Sequence, residues 1–107
     1  MIVDRGYLSD PDGVVLLDGA AAALAALKAR GYRIGLATNQ SGIGRGMYTT
    51  ADCGAVTRRL ERLAGTALDA VEICPHRPDE GCACRKPRPA MLERILARLG
   101  CDRRGSF

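Results

Sequence analysis

Between positions 74 and 84 the chain reads Cys-Pro-His-Arg-Pro-Asp-Glu-Gly-Cys-Ala-Cys, which gathers three thiols and the sequence's single histidine into one short segment. Cys74-x-His76-x5-Cys82-x-Cys84 is a Cys3His donor set, and such a set suits one tetrahedral zinc ion with no open position. Pro75, Pro78 and Gly81 help the segment curl so that both of its ends face one point. The competing reading is a basic loop with incidental thiols, or a disulfide; soft ligands packed this densely favour zinc. The spacing is not that of a common zinc finger, so it does not by itself imply nucleic-acid binding. Cys53 and Cys101 stand apart and read as ordinary free thiols.

The rest of the chain is organised around this loop. Asp4–Gly13 is rich in turn formers and reads as a loop. A helix is expected over about Gly19–Arg30, capped by Asp18 and ended by Gly31. Tyr32–Thr38 reads as a short buried strand, followed by the Gly-rich loop Asn-Gln-Ser-Gly-Ile-Gly-Arg-Gly. Thr49 and Asp52 form a candidate capping box for a helix reaching about Ala64, with Cys53, Val56, Leu60 and Leu63 on its apolar face. Asp69–Cys74 reads as a second buried strand that runs straight into the Cys/His loop. Pro89 then opens a helix with an apolar face of Met91, Leu92, Ile95, Leu96 and Leu99, and Gly100 ends it.

Helix, strand, helix, strand, helix is the pattern of an α/β fold with a parallel sheet. A sheet of this class needs more than two strands and cover on both faces. The 107 residues therefore read as a single, truncated domain, 1–107, that lacks a first strand and later strands. Tyr32–Thr38 would then have an unpaired edge, which favours self-association.

Composition narrows the function. Sixteen Lys and Arg against twelve acids give a net charge of +4, and Lys28 and Lys86 are the only lysines. Arginine holds its proton and forks onto phosphate, so the balance suits phosphorylated small molecules. Three Tyr, one Phe and no Trp offer little for base stacking, so no nucleic-acid partner is expected. No apolar run is long enough to cross a bilayer, so no membrane partner is expected. The N-terminus carries acids where a signal peptide would be apolar, and the chain reads as cytoplasmic.

Two further stretches carry chemistry. Thr38–Gly46 follows a strand and offers hydroxyls, amides, free backbone N–H groups and an arginine, where parallel sheets bind ligands. It is equally readable as an ordinary polar loop. Arg85 and Lys86 follow Cys84 directly, so a metal-bound loop would hold them rigidly; alone they would be a solvated pair.

Taken in order, "DRGY", "TNQSGIGRG", "CPHRP" and "C-x-CRKP-x-P-x-ML" resemble the D-glycero-D-manno-heptose 1,7-bisphosphate phosphatases of the haloacid dehalogenase superfamily. The histidinol-phosphate phosphatase domain is a close relative with a similar zinc loop. The resemblance covers nearly the whole chain and implies a Rossmann-like, haloacid dehalogenase-type parallel sheet with flanking helices and a zinc loop. It implies hydrolysis of a sugar phosphate, the 7-phosphate of the heptose bisphosphate, through an aspartyl phosphate with Mg2+. A histidinol-phosphate phosphatase-like enzyme, or a catalytically inactive zinc module that binds phosphorylated ligands, are the alternatives.

By position, Thr38 resembles the threonine that hydrogen-bonds the transferring phosphoryl group and Lys86 the lysine that offsets its charge. Arg85 resembles the arginine that recognises substrate. Asp4, Arg5, Gly6 and Tyr7, with Asn39, Gln40 and Ser41, match substrate-contacting segments. Cys74, His76, Cys82 and Cys84 match the structural zinc ligands. The family's D-x-D-G-T nucleophile motif would precede "VDRGY", and its far Mg2+ carboxylates would follow "LGCDRRGSF". Both are expected to be absent from this chain, and the chain alone is expected to be inactive. Asp10-Pro11-Asp12-Gly13 has D-x-D-G spacing, but no strand precedes it and Pro11 removes an N–H from the turn, so it is not expected to be a nucleophile site.

Overall fold

The computed structural model describes residues 9–106. In chain order, a 3-10 turn at Pro11–Gly13 is followed by α1 (Ala20–Ala29), β1 (Gly35–Asn39), the single turn α2 (Ser41–Gly44) and α3 (Thr50–Ala64). Next come β2 (Ala70–Cys74), a second 3-10 turn at Pro78–Glu80 and α4 (Ala90–Leu99). β1 and β2 pair in parallel, with Gly35 opposite Ala70 and Asn39 opposite Cys74. The α/β class with a parallel sheet is thus as expected. Asp4, Arg5, Gly6 and Tyr7 lie outside the described residues.

Most helix ends form where the sequence places them. Thr49 Oγ1 accepts from the Asp52 N–H, and Asp52 Oδ2 accepts from the Thr49 N–H, which closes the capping box of α3. Gly31 and Gly100 both take positive φ, at 85° and 66°, and stop α1 and α4 at no Cβ penalty. The start of α1 differs from expectation. A turn from Leu17 O to Ala20 N places Gly19 in the left-handed region at the cap, so Asp18 falls one residue too early to cap.

The strands are shorter than expected, and β1 is only partly buried, whereas β2 is buried at Ala70 and Cys74. Tyr32 N bonds back to Leu27 O, so the segment after Gly31 is still closing α1 and β1 begins at Gly35. Asp69 joins the same segment by backbone and side chain: its N–H donates to Ile34 O at 2.7 Å, and its carboxylate accepts from Ile34 N and from Lys28 Nζ, each at 2.6 Å. β2 starts at Ala70. Among the described residues β1 has strand pairing on one edge alone, and none of its residues is fully buried.

Two small cores result. Leu24 of α1, Ile34 and Ala64 of α3 pack together with Leu16 and Leu68. Met91 of α4 packs on Cys74 and Cys84, with Ala37 and Cys82 beside them. Met91 and Cys74 are wholly withdrawn from solvent, and burying a side chain of Met91's size is worth about 1.5–3 kcal/mol. Leu63 and Leu92 were expected on the apolar faces but are exposed, Leu92 by half. The helix phase explains both: α3 buries Cys53, Leu60 and Ala64, and α4 buries Met91 and Ile95 one turn apart, which leaves the neighbouring leucines at the rim.

Candidate functional site: two strand-end loops beside a Cys/His cluster

The two strands end side by side, and the loops that leave them are laced together. Gln40 N bonds to Cys74 O at 2.7 Å, and Gly44 N to Pro75 O at 2.8 Å. The second contact needs a glycine, because a Cβ on Gly44 would sit 2.8 Å from Pro75 O. In parallel α/β sheets this edge, beyond the carboxyl ends of the strands, is where ligands bind.

Cys74, at the end of β2, begins the Cys/His loop. Its Sγ lies 3.1 Å from Cys84 Sγ and 3.6 Å from both Cys82 Sγ and His76 Nδ1, and His76 Nδ1 lies 3.3 Å from Cys84 Sγ. All of the donor atoms lie within 4.8 Å of one another, close enough to share one metal ion. A tetrahedral zinc with thiolate bonds of about 2.3 Å sets its sulfurs roughly 3.7 Å apart, so the donor set fits that ion in type and in spacing. The thiols are already unlike. Burial opposes ionisation of Cys82, but N–H donors at Arg85 and Cys84 and the Cys74 and Cys84 thiols bring it down to about 7. The Cys74 thiol, burial and the Cys82 thiol push Cys84 up to about 12. A Gly81 in the left-handed region, φ 65°, turns the chain between His76 and Cys82. Arg88 Nη1 bonds to Cys82 O and draws the far arm of the loop in.

The loop delivers Arg85 and Lys86 to the end of β1. Lys86 Nζ donates to Ala37 O at 3.0 Å, next to Thr38. Asn39 secures this approach across 47 residues of sequence: its Oδ1 accepts from Lys86 N at 3.0 Å. A cleft of about 320 Å³ opens here, lined by Pro78, Cys82, Arg85, Lys86, Pro87 and Arg88. Arg85 Nη1 is buried, with no hydrogen-bond partner among the described residues. A buried N–H left unpaired is costly.

On the other side of the site, Gln40 Nε2 donates to Thr38 Oγ1 at 2.9 Å, and Tyr48 Oη donates to Gln40 Oε1 at 2.5 Å. Sequence reading missed Tyr48. Its signal is slight: a tyrosine shortly after a glycine-rich loop, one of whose glycines, Gly42, leaves room for its ring. Ser41 opens α2 and is half-buried. The structure thus brings Thr38, Asn39, Gln40, Arg85 and Lys86 together with the four metal-type ligands. Asp10 is engaged elsewhere. Its Oδ1 accepts from Asp12 N at 2.9 Å, capping a turn that packs against α3.

The sequence profile of the haloacid dehalogenase-like hydrolases matches residues 3–105. The chain belongs to this family. It is 40% identical over 102 residues to the D-glycero-beta-D-manno-heptose-1,7-bisphosphate 7-phosphatase of Bordetella bronchiseptica, covering 92% of this chain and 57% of that protein. The enzyme of the same description from Yersinia pestis is 39% identical over 115 residues, covering 98% of this chain and 61% of that protein. The crystal structure of the D,D-heptose 1,7-bisphosphate phosphatase from B. bronchiseptica, complexed with magnesium and phosphate, superposes with a TM-score of 0.83 at 39% identity, over 92% of this chain and 57% of that one. This chain spans little more than half the length of these relatives. Among the described residues, no second group of three or more His, Cys, Asp or Glu converges, so none of them is assigned to magnesium. No helix of the described residues is long and apolar enough to cross a membrane.

Proposed function

We propose that this chain is the substrate-recognition part of a sugar-phosphate phosphatase that acts on the 7-phosphate of D-glycero-D-manno-heptose 1,7-bisphosphate. The observation that carries the reading is the approach of Lys86 Nζ to Ala37 O, beside Thr38, at a cleft that Arg85 and Lys86 line. Phosphoryl transfer calls for fixed donors and cations around the equatorial oxygens. In this reading the Thr38 hydroxyl donates to one phosphoryl oxygen. The Lys86 ammonium leaves Ala37 O and offsets the charge that develops on the group. Arg85 forks onto the substrate's other anionic end. Asn39 to Ser41, which follow Thr38, and Asp4 to Tyr7 are assigned to substrate contacts by family position.

Cys74, His76, Cys82 and Cys84 would hold a structural zinc, whose chemistry here is to fix the loop rather than to react. The nucleophilic aspartate of the aspartyl-phosphate mechanism is assigned to none of the described carboxylates. Identity near 40% to several enzymes of one description favours the heptose bisphosphate over histidinol phosphate.

Calorimetry tests the reading. The chain should bind the heptose bisphosphate, should bind histidinol phosphate more weakly, and should lose most of its affinity in Lys86→Ala and Arg85→Ala. Equal affinity for the two ligands, or no loss in either variant, would refute it.

A further inference from the structure

The hydrogen bonds that run from Tyr48 to Thr38 have a direction. Tyr48 Oη has one proton, and it points at Gln40 Oε1, 2.5 Å away. In this arrangement the Nε2 end of the Gln40 amide faces Thr38, and its N–H donates to Thr38 Oγ1 at 2.9 Å. A threonine hydroxyl has one proton and two lone pairs. With a lone pair taken by Gln40, its proton is left to point elsewhere, and among the described residues no acceptor takes it. Tyr48 is itself firmly seated. It is 7% exposed, and a Cβ on Gly42 would come within 2.6 Å of its Cζ. Met47 N bonds to Gly42 O at 2.8 Å and closes the loop that carries it.

We propose that Tyr48 and Gln40 are positioning residues that orient the Thr38 hydroxyl as a donor toward a phosphate oxygen. The proposal rests on the phosphate-binding role given to Thr38 above. Gln40 acts here through Thr38, because both ends of its amide are engaged within the protein. The device suits its task. A freely rotating hydroxyl must give up its other orientations to donate to the anion, whereas an amide N–H on one side disfavours those that aim its proton away and leaves the donor orientation pre-set.

The test uses the full chain and inorganic phosphate, followed through the Thr38 backbone amide by NMR. Thr38→Val should weaken phosphate about tenfold, and Tyr48→Phe about threefold to fivefold. The decisive quantity is the cycle: in the Thr38→Val background, Tyr48→Phe should cost nothing further. A merely structural role for Tyr48 would give the same loss in both backgrounds and would overturn the relay while leaving Thr38 as a phosphate ligand. Unchanged binding in Thr38→Val would instead remove the Thr38 reading, and the relay with it. The wild-type spectrum gives a check that needs no variant. The Gln40 side-chain amide protons should be displaced from free-amide positions and slow to exchange; free-amide behaviour would also overturn the relay.

Discussion

The side chain of Asn39 holds the backbone of Lys86 from both directions. Oδ1 accepts from Lys86 N at 3.0 Å, and Nδ2 reaches toward Lys86 O at 3.4 Å. Asn39 ends β1, whereas Lys86 leaves the Cys/His loop, so one amide joins the two halves of the site. Asn39→Ala should lower stability in urea by on the order of 1 kcal/mol, since water replaces both bonds at this exposed position. It should also weaken phosphate binding by about threefold to tenfold by freeing the ammonium to wander. Asn39→Asp keeps the acceptor, loses the donor and sets a negative charge beside the ligand, so its phosphate affinity should fall further than that of Asn39→Ala. A phosphate titration of the three proteins decides the order.

Much of this site was legible in the sequence. Four soft donors converge as their type and spacing suggest, while the roles of Thr38, Arg85 and Lys86 come from the family resemblance alone. Sequence did not show what holds them. The Asn39–Lys86 lock spans 47 residues and leaves no periodic trace. Tyr48 looked like any loop aromatic until Gly42 was seen to make room for it. The strand ends were misplaced for a related reason. Asp69 and Ile34 have the local character of strand or loop, and only the long-range clamp to Lys28 shows where pairing begins. Leu63 and Leu92 fit the helical period, but the depth of a small core decides which apolar residues are covered.

The metal-type cluster makes its own prediction. Freshly purified, reduced protein should hold about one zinc per chain by elemental analysis. Cys84→Ser should lose it, because that thiol is buried against Cys74 and Met91 as well as facing the other donors. Chelation should speed hydrogen exchange at Arg85 and Lys86 more than in α1, which lies outside the loop. Metal-free protein with an equally protected loop would contradict the assignment.

Asp69 should make stability fall in acid. The Lys28 ammonium and the Ile34 N–H hold its carboxyl below the ordinary value of 3.8. A carboxyl depressed in the folded state contributes stability that is fully present above the unfolded value and is lost as pH falls through the folded one. Between about pH 5 and pH 2 the wild type should therefore lose more stability than Asp69→Asn, which has no charge there to lose. Parallel acid-induced loss in both proteins, by urea titration at several pH values, would rule this out.

The free edge of β1 should make the chain associate. Edge strands offer unpaired backbone groups to a second copy, and among the described residues β1 pairs with β2 alone. Sedimentation should show association that rises with concentration in the micromolar range. A monomer with a sharp, cooperative thermal transition over that range would count against it.

Catalysis is the last expectation, and it follows from where the carboxylates point. Thr38, Arg85 and Lys86 can bind and polarise a phosphate, but none can form the acyl phosphate of this family's mechanism. Asp10 has the spacing of a nucleophile motif, yet its carboxylate caps the Pro11–Gly13 turn against α3 rather than facing Lys86. Those three groups by themselves supply only binding and electrostatics, orders of magnitude below an intact enzyme. The chain alone should thus show negligible Mg2+-dependent release of phosphate from sugar bisphosphates. In a protein that joins these residues to a strand bearing Asp-x-Asp-Gly-Thr, Lys86→Ala should remove most of the activity. Rapid turnover by the unextended chain, abolished by Asp10→Asn, would show that the cap at Asp10 opens and that the turn is the nucleophile site after all.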